Sequence, residues 1–117
     1  YSSKFAGDRR EDAVKFMAAY LRGVRDYREA FGKSARDRKA IIEILKKYTE
    51  PLKDEVWAEM KPVGLNPNGA LNVESLKGDL AWFQSKKYVE KSLPVEQLVD
   101  NSFAKDALKL IGPYKKK

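Results

Sequence analysis

The residues that could do chemistry in this 117-residue chain are mostly carboxylates. Glu55 and Glu59 lie four positions apart in a predicted helix, a spacing at which two carboxylates could bracket a cation or act as general acid and base. No cleft-like apolar segment surrounds them, and a chain with 17 Asp and Glu residues forms such pairs easily. We therefore interpret this pair as part of a solvated surface.

The segment between positions 66 and 74 has the oxygen donors of a calcium loop. Its donors would be Asn66, Asn68, Asn72 and Glu74. An EF-hand loop needs acidic residues at its first positions and a glycine at its sixth, and this segment has neither. We predict a structural turn here and no metal site.

The composition excludes several classes of enzyme. The chain contains no His and no Cys, so it has no disulfide, no thiolate or imidazole metal ligand, and no Ser–His or Cys–His nucleophile. Gly64 and Gly69 do not make a nucleotide-binding fingerprint, because no predicted strand precedes them. We expect no catalytic residues, no metal and no cofactor, and hence no enzyme.

The net charge of +7 raises the question of whether the chain binds an acidic partner. A basic segment around an apolar stripe, of the kind that binds a phosphate backbone, contains Lys33, Arg36, Arg38, Lys39, Lys46 and Lys47. Trp57, Trp82 and Tyr88 could stack on bases. Acidic residues interrupt the basic segment, and each aromatic lies at helical spacing from other apolar residues. We interpret both features as packing and expect no nucleic acid.

The elements that would position these residues are helices. Between positions 9 and 31 apolar residues recur at steps of three and four, which predicts one long amphipathic helix ended by Gly32. Arg22, Arg25 and Glu29 fall on its far side. The predicted buried face contains Ala13, Phe16, Met17, Tyr20, Leu21, Val24, Tyr27 and Phe31.

Two further helices are predicted before position 61. One begins at an N-cap near Ser34, with Asp37 in its first turn, and reaches about Tyr48. The other is short, has Pro51 in its first turn and passes through Trp57. The packed face of the first contains Ile41, Ile44, Leu45 and Tyr48.

The segment 61–69 predicts a tight turn, because Pro67 presets φ and Gly69 can take a positive φ. It connects two parts of one unit rather than two domains, since neither side has enough apolar residues for its own core. Asn72 then caps a helix that reaches about Lys86. The predicted face of that helix contains Leu76, Leu80 and Phe83.

The chain is predicted to close with two helices. Pro94 opens a short one toward Val99, and Asp100 or Asn101 caps the last one, which Gly112 ends. The face of the last helix contains Phe103, Ala107, Leu110 and Ile111. The fold class predicted for residues 1–117 is therefore a single all-α segment of five to six helices.

Several large apolar residues lie beside the clearest helix faces or in loops. These are Val63, Leu65, Trp57, Trp82, Tyr88, Val89, Leu93 and Tyr114. A small helical unit would expose several of them, which indicates a partner surface on another chain or on a part of this one that is absent.

Four stretches, in this order, resemble the C-terminal third of a periplasmic solute-binding protein. They are residues 16–27 (FMAAYLRGVRDY), 64–69 (GLNPNG), 76–83 with its Trp-Phe pair, and 98–103 (LVDNSF) running into 110–114 (LIGPY). The resemblance covers essentially the whole chain. The class is that of ABC importers for nitrate, sulfonates, taurine and pyrimidine precursors of thiamine.

The resemblance implies a parent protein about three times longer, with the type II fold of two α/β lobes and a ligand cleft between them. Its localisation would be periplasmic or extracytoplasmic, and its partners a small-molecule ligand and an ABC permease. Tyr1, Ser2 and Ser3 would then be the remnant of a crossing strand and the candidates nearest the ligand. Arg22 and Arg25 would be solvated or in contact with the permease.

Two other hypotheses remain open. The chain could instead be an independent basic helical module that binds nucleic acid or an acidic protein, because of its charge and the segment 33–47. An enzymatic role arises only from relatives of the resembled family that make the thiamine pyrimidine, and the absence of His and Cys weighs against it. We also expect dimerisation through the apolar surface that truncation would expose.

Overall fold

In a computed structural model, the structure describes residues 1–33, 35–50, 52–90 and 94–115. These ranges form seven helices and no strand: α1 (Ser3–Asp8), α2 (Arg10–Phe31), α3 (Arg38–Tyr48), α4 (Asp54–Glu59), α5 (Val73–Ser85), α6 (Val95–Leu98) and α7 (Ser102–Ile111). The all-α prediction is confirmed, with at least one helix more than expected. Within the described ranges no helix has the length and apolar character to cross a membrane.

The additional helix is α1, and it corrects the expectation that the first three residues finish a strand. The Ser2 hydroxyl accepts a hydrogen bond from the Phe5 N–H at 3.2 Å, and Ser3 is the first helical residue. A serine at the N-cap satisfies a backbone donor that an isolated helix start leaves open. The sequence therefore starts a helix where a strand remnant was expected.

The main core lies between α2 and α7. Ala18, Leu21 and Ala107 are buried at its centre, where alanines let the two helices approach closely. Packed around them are Val14, Met17, Leu108 and Ile111. The predicted faces were wrong at their edges, because Phe16, Tyr20 and Leu110 are exposed.

A second cluster joins the end of α2 to α3 and α4. Ala30, Phe31 and Trp57 are buried in it, and the half-buried side chains around them are Tyr27, Ile41, Ile42, Leu45 and Met60. Ile44 and Tyr48, predicted to pack here, are exposed.

The start of α3 also differs from the prediction. Asp37 occupies the N-cap with a left-handed backbone (φ 52°), so the helix begins one residue after it. Ser34 and Pro51, the predicted N-cap and first-turn proline, lie outside the described residues.

The turn predicted in 61–69 is confirmed. The Gly69 N–H donates to the Asn66 carbonyl oxygen at 2.9 Å, and Gly69 has φ +77°. A Cβ at this position would lie 2.8 Å from Cδ2 of Leu21. Gly69 is thus needed both for the turn and for the close approach of the turn to α2.

The predicted capping of the later helices is largely confirmed. The Asn72 side chain accepts from the Ser75 N–H at 3.1 Å, and α5 ends at Ser85. At α7 the two predicted capping residues, Asp100 and Asn101, have different roles. The Asp100 carboxylate accepts from the Ser102 N–H at 2.8 Å, whereas Asn101 stands at the N-cap position and its side chain accepts from the Leu71 N–H at 3.1 Å.

The chain has much more surface than a compact protein of its mass. It exposes 9264 Å², whereas a compact monomer of this size exposes roughly 6,500 Å². Its radius of gyration is 17.2 Å, against roughly 13 Å for a compact domain of this length. Part of the reason is α5, which contacts α6 and has every residue at least partly exposed.

Candidate functional site

Of the three residues nearest the expected ligand, Tyr1, Ser2 and Ser3, it is Tyr1 that fastens the start of the chain to the core. The Tyr1 hydroxyl donates to the Ala13 carbonyl oxygen at 2.8 Å. The Tyr1 ring meets the rings of Phe5, Phe16 and Phe103 edge-on, with ring centres 5.1 to 6.1 Å apart. Burial raises the pKa of the Tyr1 phenol. Their part in ligand binding stays a prediction, to which the structure adds an anchoring role for Tyr1 and a capping role for Ser2.

The carboxylates do not come together as a reaction centre. Glu55 and Glu59 are both exposed on α4. Glu74, the last donor of the rejected calcium loop, pairs with Lys77 at 3.3 Å. Over the described part of the chain, no group of three or more acidic side chains is placed to hold a metal ion.

At least three cations of the basic segment form intramolecular bonds, one of them an exposed ion pair between Arg36 and Asp37 at 3.4 Å. The Arg38 guanidinium donates to the carbonyl oxygens of Trp57 and Ala58 at 3.0 and 2.8 Å, at the end of α4. The Lys46 ammonium lies 2.8 Å from the Asp54 carboxylate and 3.1 Å from that of Glu43. Hydrogen bonds to Asp54 and then Glu43 raise the pKa of Lys46. Arg38 and Lys46 therefore position α4 against α3.

Arg25 of α2 forms hydrogen bonds to two distant segments of the chain. Its guanidinium donates from Nε to the Pro67 carbonyl oxygen at 3.0 Å and from Nη2 to the Gly112 carbonyl oxygen at 2.7 Å. The expectation that Arg25 is solvated is wrong, because the side chain is half-buried between the turn and the end of α7. Its contact with a permease stays a prediction. A single cation thus joins three parts of the chain. Arg22 is exposed, as expected.

Tyr114 completes this junction on the side of the C-terminal segment. The Asn68 side-chain oxygen accepts from the Tyr114 N–H at 2.8 Å, and the Tyr114 hydroxyl donates to Glu29. That hydrogen bond is the main cause of the raised pKa of Tyr114. Arg28 lies 6.0 Å from the centre of the Tyr114 ring and donates to the Leu65 carbonyl oxygen at 3.2 Å. The segments 65–68 and 112–114 are consequently held on one side of α2.

Beside this junction lies a cavity of about 390 Å³ between α2, α7 and the segment 64–72. Its apolar lining includes Met17, Tyr20, Leu65, Leu71 and Ala104. Its polar side chains, Asn66, Asn72, Asp100 and Asn101, each accept a hydrogen bond from a backbone N–H. Hydrogen bonds from Ser102 lower the pKa of Asp100, which keeps this carboxyl ionised and unsuited to donate a proton at neutral pH.

A groove of about 420 Å³ between α2 and α3 continues this cavity. The two share Tyr20 and Leu65, and the groove is otherwise lined mainly by Val24, Tyr27, Ile41, Ile44 and Leu45. We call the linings of the cavity and the groove together the α2 apolar surface. It provides shape and apolar contact rather than a nucleophile or an acid–base pair.

Sequence reasoning named Leu65 as part of a partner surface but placed Tyr20 and Ile44 inside a core, so it identified only part of this surface. The signal that could have indicated it is the width of the apolar stripe on α2, which has more large side chains than one neighbouring helix can cover. Comparisons with protein-family models, with curated proteins and with solved structures found no match for the chain.

Proposed function

We propose that this chain is the C-terminal part of an extracytoplasmic solute-binding protein. The whole protein captures a small molecule of the nitrate, sulfonate, pyrimidine or aromatic acid type and delivers it to an ABC permease. The resemblance of the four stretches suggests this function. The single structural observation that carries it is the α2 apolar surface, which none of the described residues of the chain covers.

The proposed cover is the remainder of an α/β lobe. Tyr20, Ile44 and Leu71 are exposed around the cavity and the groove. Exposed side chains of this size, clustered on one face, are typical of an interface. The 9264 Å² of accessible surface supports the same interpretation, because a compact monomer would leave roughly 6,500 Å² exposed.

In this proposal the segment is a supporting platform and carries no catalytic residue. A solute-binding protein works by closing its lobes around the ligand, and closure is stabilised by contacts made only in the closed state. The junction at Arg25 would keep the turn 66–69 and the residues after α7 fixed on α2, so that the lobe moves as one body. Tyr1, Ser2 and Ser3 remain the residues proposed to approach the ligand.

The alternative is an independent basic module that binds nucleic acid or an acidic protein. Arg38 and Lys46, two of the cations that suggested it, are bonded within the chain. Lys39 and Lys47 are exposed, but the acidic Glu43 lies midway between them on α3. A gel-shift titration of single- and double-stranded DNA at low salt tests this alternative, which requires binding that weakens steeply as salt is added.

The main test uses the whole gene product, read upstream of the codon for Tyr1. Its melting temperature is measured with nitrate, sulfonates, pyrimidines and aromatic acids. We expect one class to raise it, since a ligand at a hundred times its dissociation constant stabilises by about 2.7 kcal/mol. The 117-residue chain is the control and should show no shift. A start codon directly before the codon for Tyr1, or a whole protein that no ligand class stabilises, would contradict the proposal.

A further inference from the structure

One side of α5 is covered by α6 and the other side is not. Val73 and Leu80 are half-buried, and Lys77 pairs with Glu96 of α6 at 2.9 Å. These three residues lie on one side of the helix, because positions three, four and seven apart share a face. Asp79, Trp82, Phe83 and Lys86 project to other sides, and all four are exposed.

The uncovered side ends in three aromatic rings that touch one another. Trp82, Phe83 and Tyr88 are 52%, 45% and 71% exposed, and their ring centres lie 5.2 to 6.3 Å apart. We call these three residues the aromatic ridge. Lys86 lies over the Trp82 ring, with its ammonium 6.0 Å from the ring centre. The rings support one another, while their outer faces contact solvent.

We propose that two copies of this chain associate through their α5 helices, which pair in antiparallel directions about a twofold axis between Trp82 and Phe83. That axis sets Trp82 against the partner's Phe83. The same axis sets Asp79 against the partner's Lys86, because these two residues lie equally far along the helix on either side of the axis. A parallel pairing would instead set Asp79 against the partner's Asp79 and Lys86 against the partner's Lys86. The charges of this face are therefore complementary to a second copy in one orientation only.

The chain as a whole exposes more surface than one such interface would bury, and the aromatic ridge is one part of that surface. A stable interface of standard size buries about 800 Å² on each partner. The chain exposes 9264 Å², about 2,800 Å² more than a compact monomer of its mass. Trp, Tyr and Phe at the centre of the contact are the residue types that contribute most to protein interfaces.

This inference does not rest on the proposed function. Among the described residues that line the α2 apolar surface, none belongs to α5. A dimer through α5 thus leaves the proposed cover of α2 in place, and either proposal can fail while the other stands.

The first test measures the mass of the 117-residue chain by light scattering across about a hundredfold range of concentration. We expect a monomer–dimer equilibrium. The double variant Trp82→Ala/Phe83→Ala should weaken dimerisation by more than about a hundredfold, because each ring is lost from both copies. Tyr48→Ala is the matched control, since it removes an exposed ring from α3, and should leave the dissociation constant unchanged. At concentrations well below the dimer dissociation constant, circular dichroism melting should be the same for all three proteins, because the removed rings lie outside both buried clusters.

A charge swap tests the orientation. Asp79→Lys and Lys86→Asp each create like-charge pairs and should weaken the dimer by about tenfold. The double swap Asp79→Lys/Lys86→Asp should restore it. A chain that stays monomeric, a dimer that survives the loss of the ridge, or a double swap as weak as the single variants would each overturn the proposal.

Discussion

The pair α2–α7 and the pair α5–α6 show how similar sequence patterns lead to different degrees of burial. In the first pair Ala13, Leu21 and Ala107 are fully buried. In the second pair the predicted packed face of α5 consists of Leu76, Leu80 and Phe83, of which only Leu80 is half-buried. Apolar periodicity thus predicts which side of a helix will be covered but not what covers it.

The difference follows from the residues that face each other. Alanines on α2 and α7 bring the two helices close enough for Leu21 to fill the space between them. The last turn of α5 has Trp82 and Phe83 next to each other, and α6 is only four residues long. A helix of four residues is too short to cover two large rings.

The largest expected effect comes from truncating one leucine in each of the two helix pairs and comparing the losses of stability. Leu21→Ala removes a fully buried side chain and should lower the free energy of unfolding by about 2–5 kcal/mol, through lost burial and the cavity left behind. Leu76→Ala on α5 is the matched control and should cost less than about 1 kcal/mol, because that side chain is exposed. Urea denaturation followed by circular dichroism measures both. Equal losses would mean that α5 is as well packed as α2.

The next effect concerns the turn that packs on α2. Gly69→Ala should cost about 2–4 kcal/mol, because the new methyl group needs a positive φ and lies too close to Leu21. Gly112→Ala provides the control, since Gly112 also has a positive φ but has nothing within 4 Å of the added Cβ. Its cost of about 1 kcal/mol would isolate the backbone contribution. A Gly69→Ala protein no less stable than the Gly112→Ala protein would contradict the close approach.

The local parts of this fold could be predicted from the sequence. Asn72 and Asp100 cap helices through donors two or three residues away, and Gly69 forms its turn with a residue three positions before it. The six-residue helix α1 was missed because so short a helix has no full apolar period.

The candidate site could not be predicted in the same way. The acceptors of Arg25 are backbone carbonyl oxygens 42 and 87 positions away, and a carbonyl leaves no pattern in the residue types. Tyr20 and Ile44 each lie on a predicted buried face, and the width of that face does not show which of its residues the neighbouring helices leave exposed.

The third effect tests whether Arg25 holds the α2–α7 pair to its turn. Arg25→Ala should lower the free energy of unfolding by about 1–3 kcal/mol, because the two carbonyl oxygens lose a charged donor. Arg22→Ala, an exposed arginine on the same helix, should change it by less than about 0.5 kcal/mol. Amide exchange should quicken around residues 66–69 in the Arg25 variant alone. A uniform loss of protection along α2 would instead indicate a general packing role.

The smallest effect concerns the charges that join α2 to α7 at their edge. Asp106 accepts from Lys109 and from Arg10, each at 2.7 Å, and these bonds lower the pKa of its carboxyl. A carboxyl whose pKa is lower in the folded state contributes stability above its unfolded pKa, and this contribution is lost as the pH falls through the folded value. The melting temperature of Asp106→Asn should therefore fall less between about pH 5 and pH 2 than that of the unmodified chain. Asp26→Asn, which removes an exposed carboxylate from α2, should follow the unmodified chain. If acid lowered the melting temperatures of both variants equally, and less than that of the unmodified chain, the effect would come from net charge and not from the contact between α2 and α7.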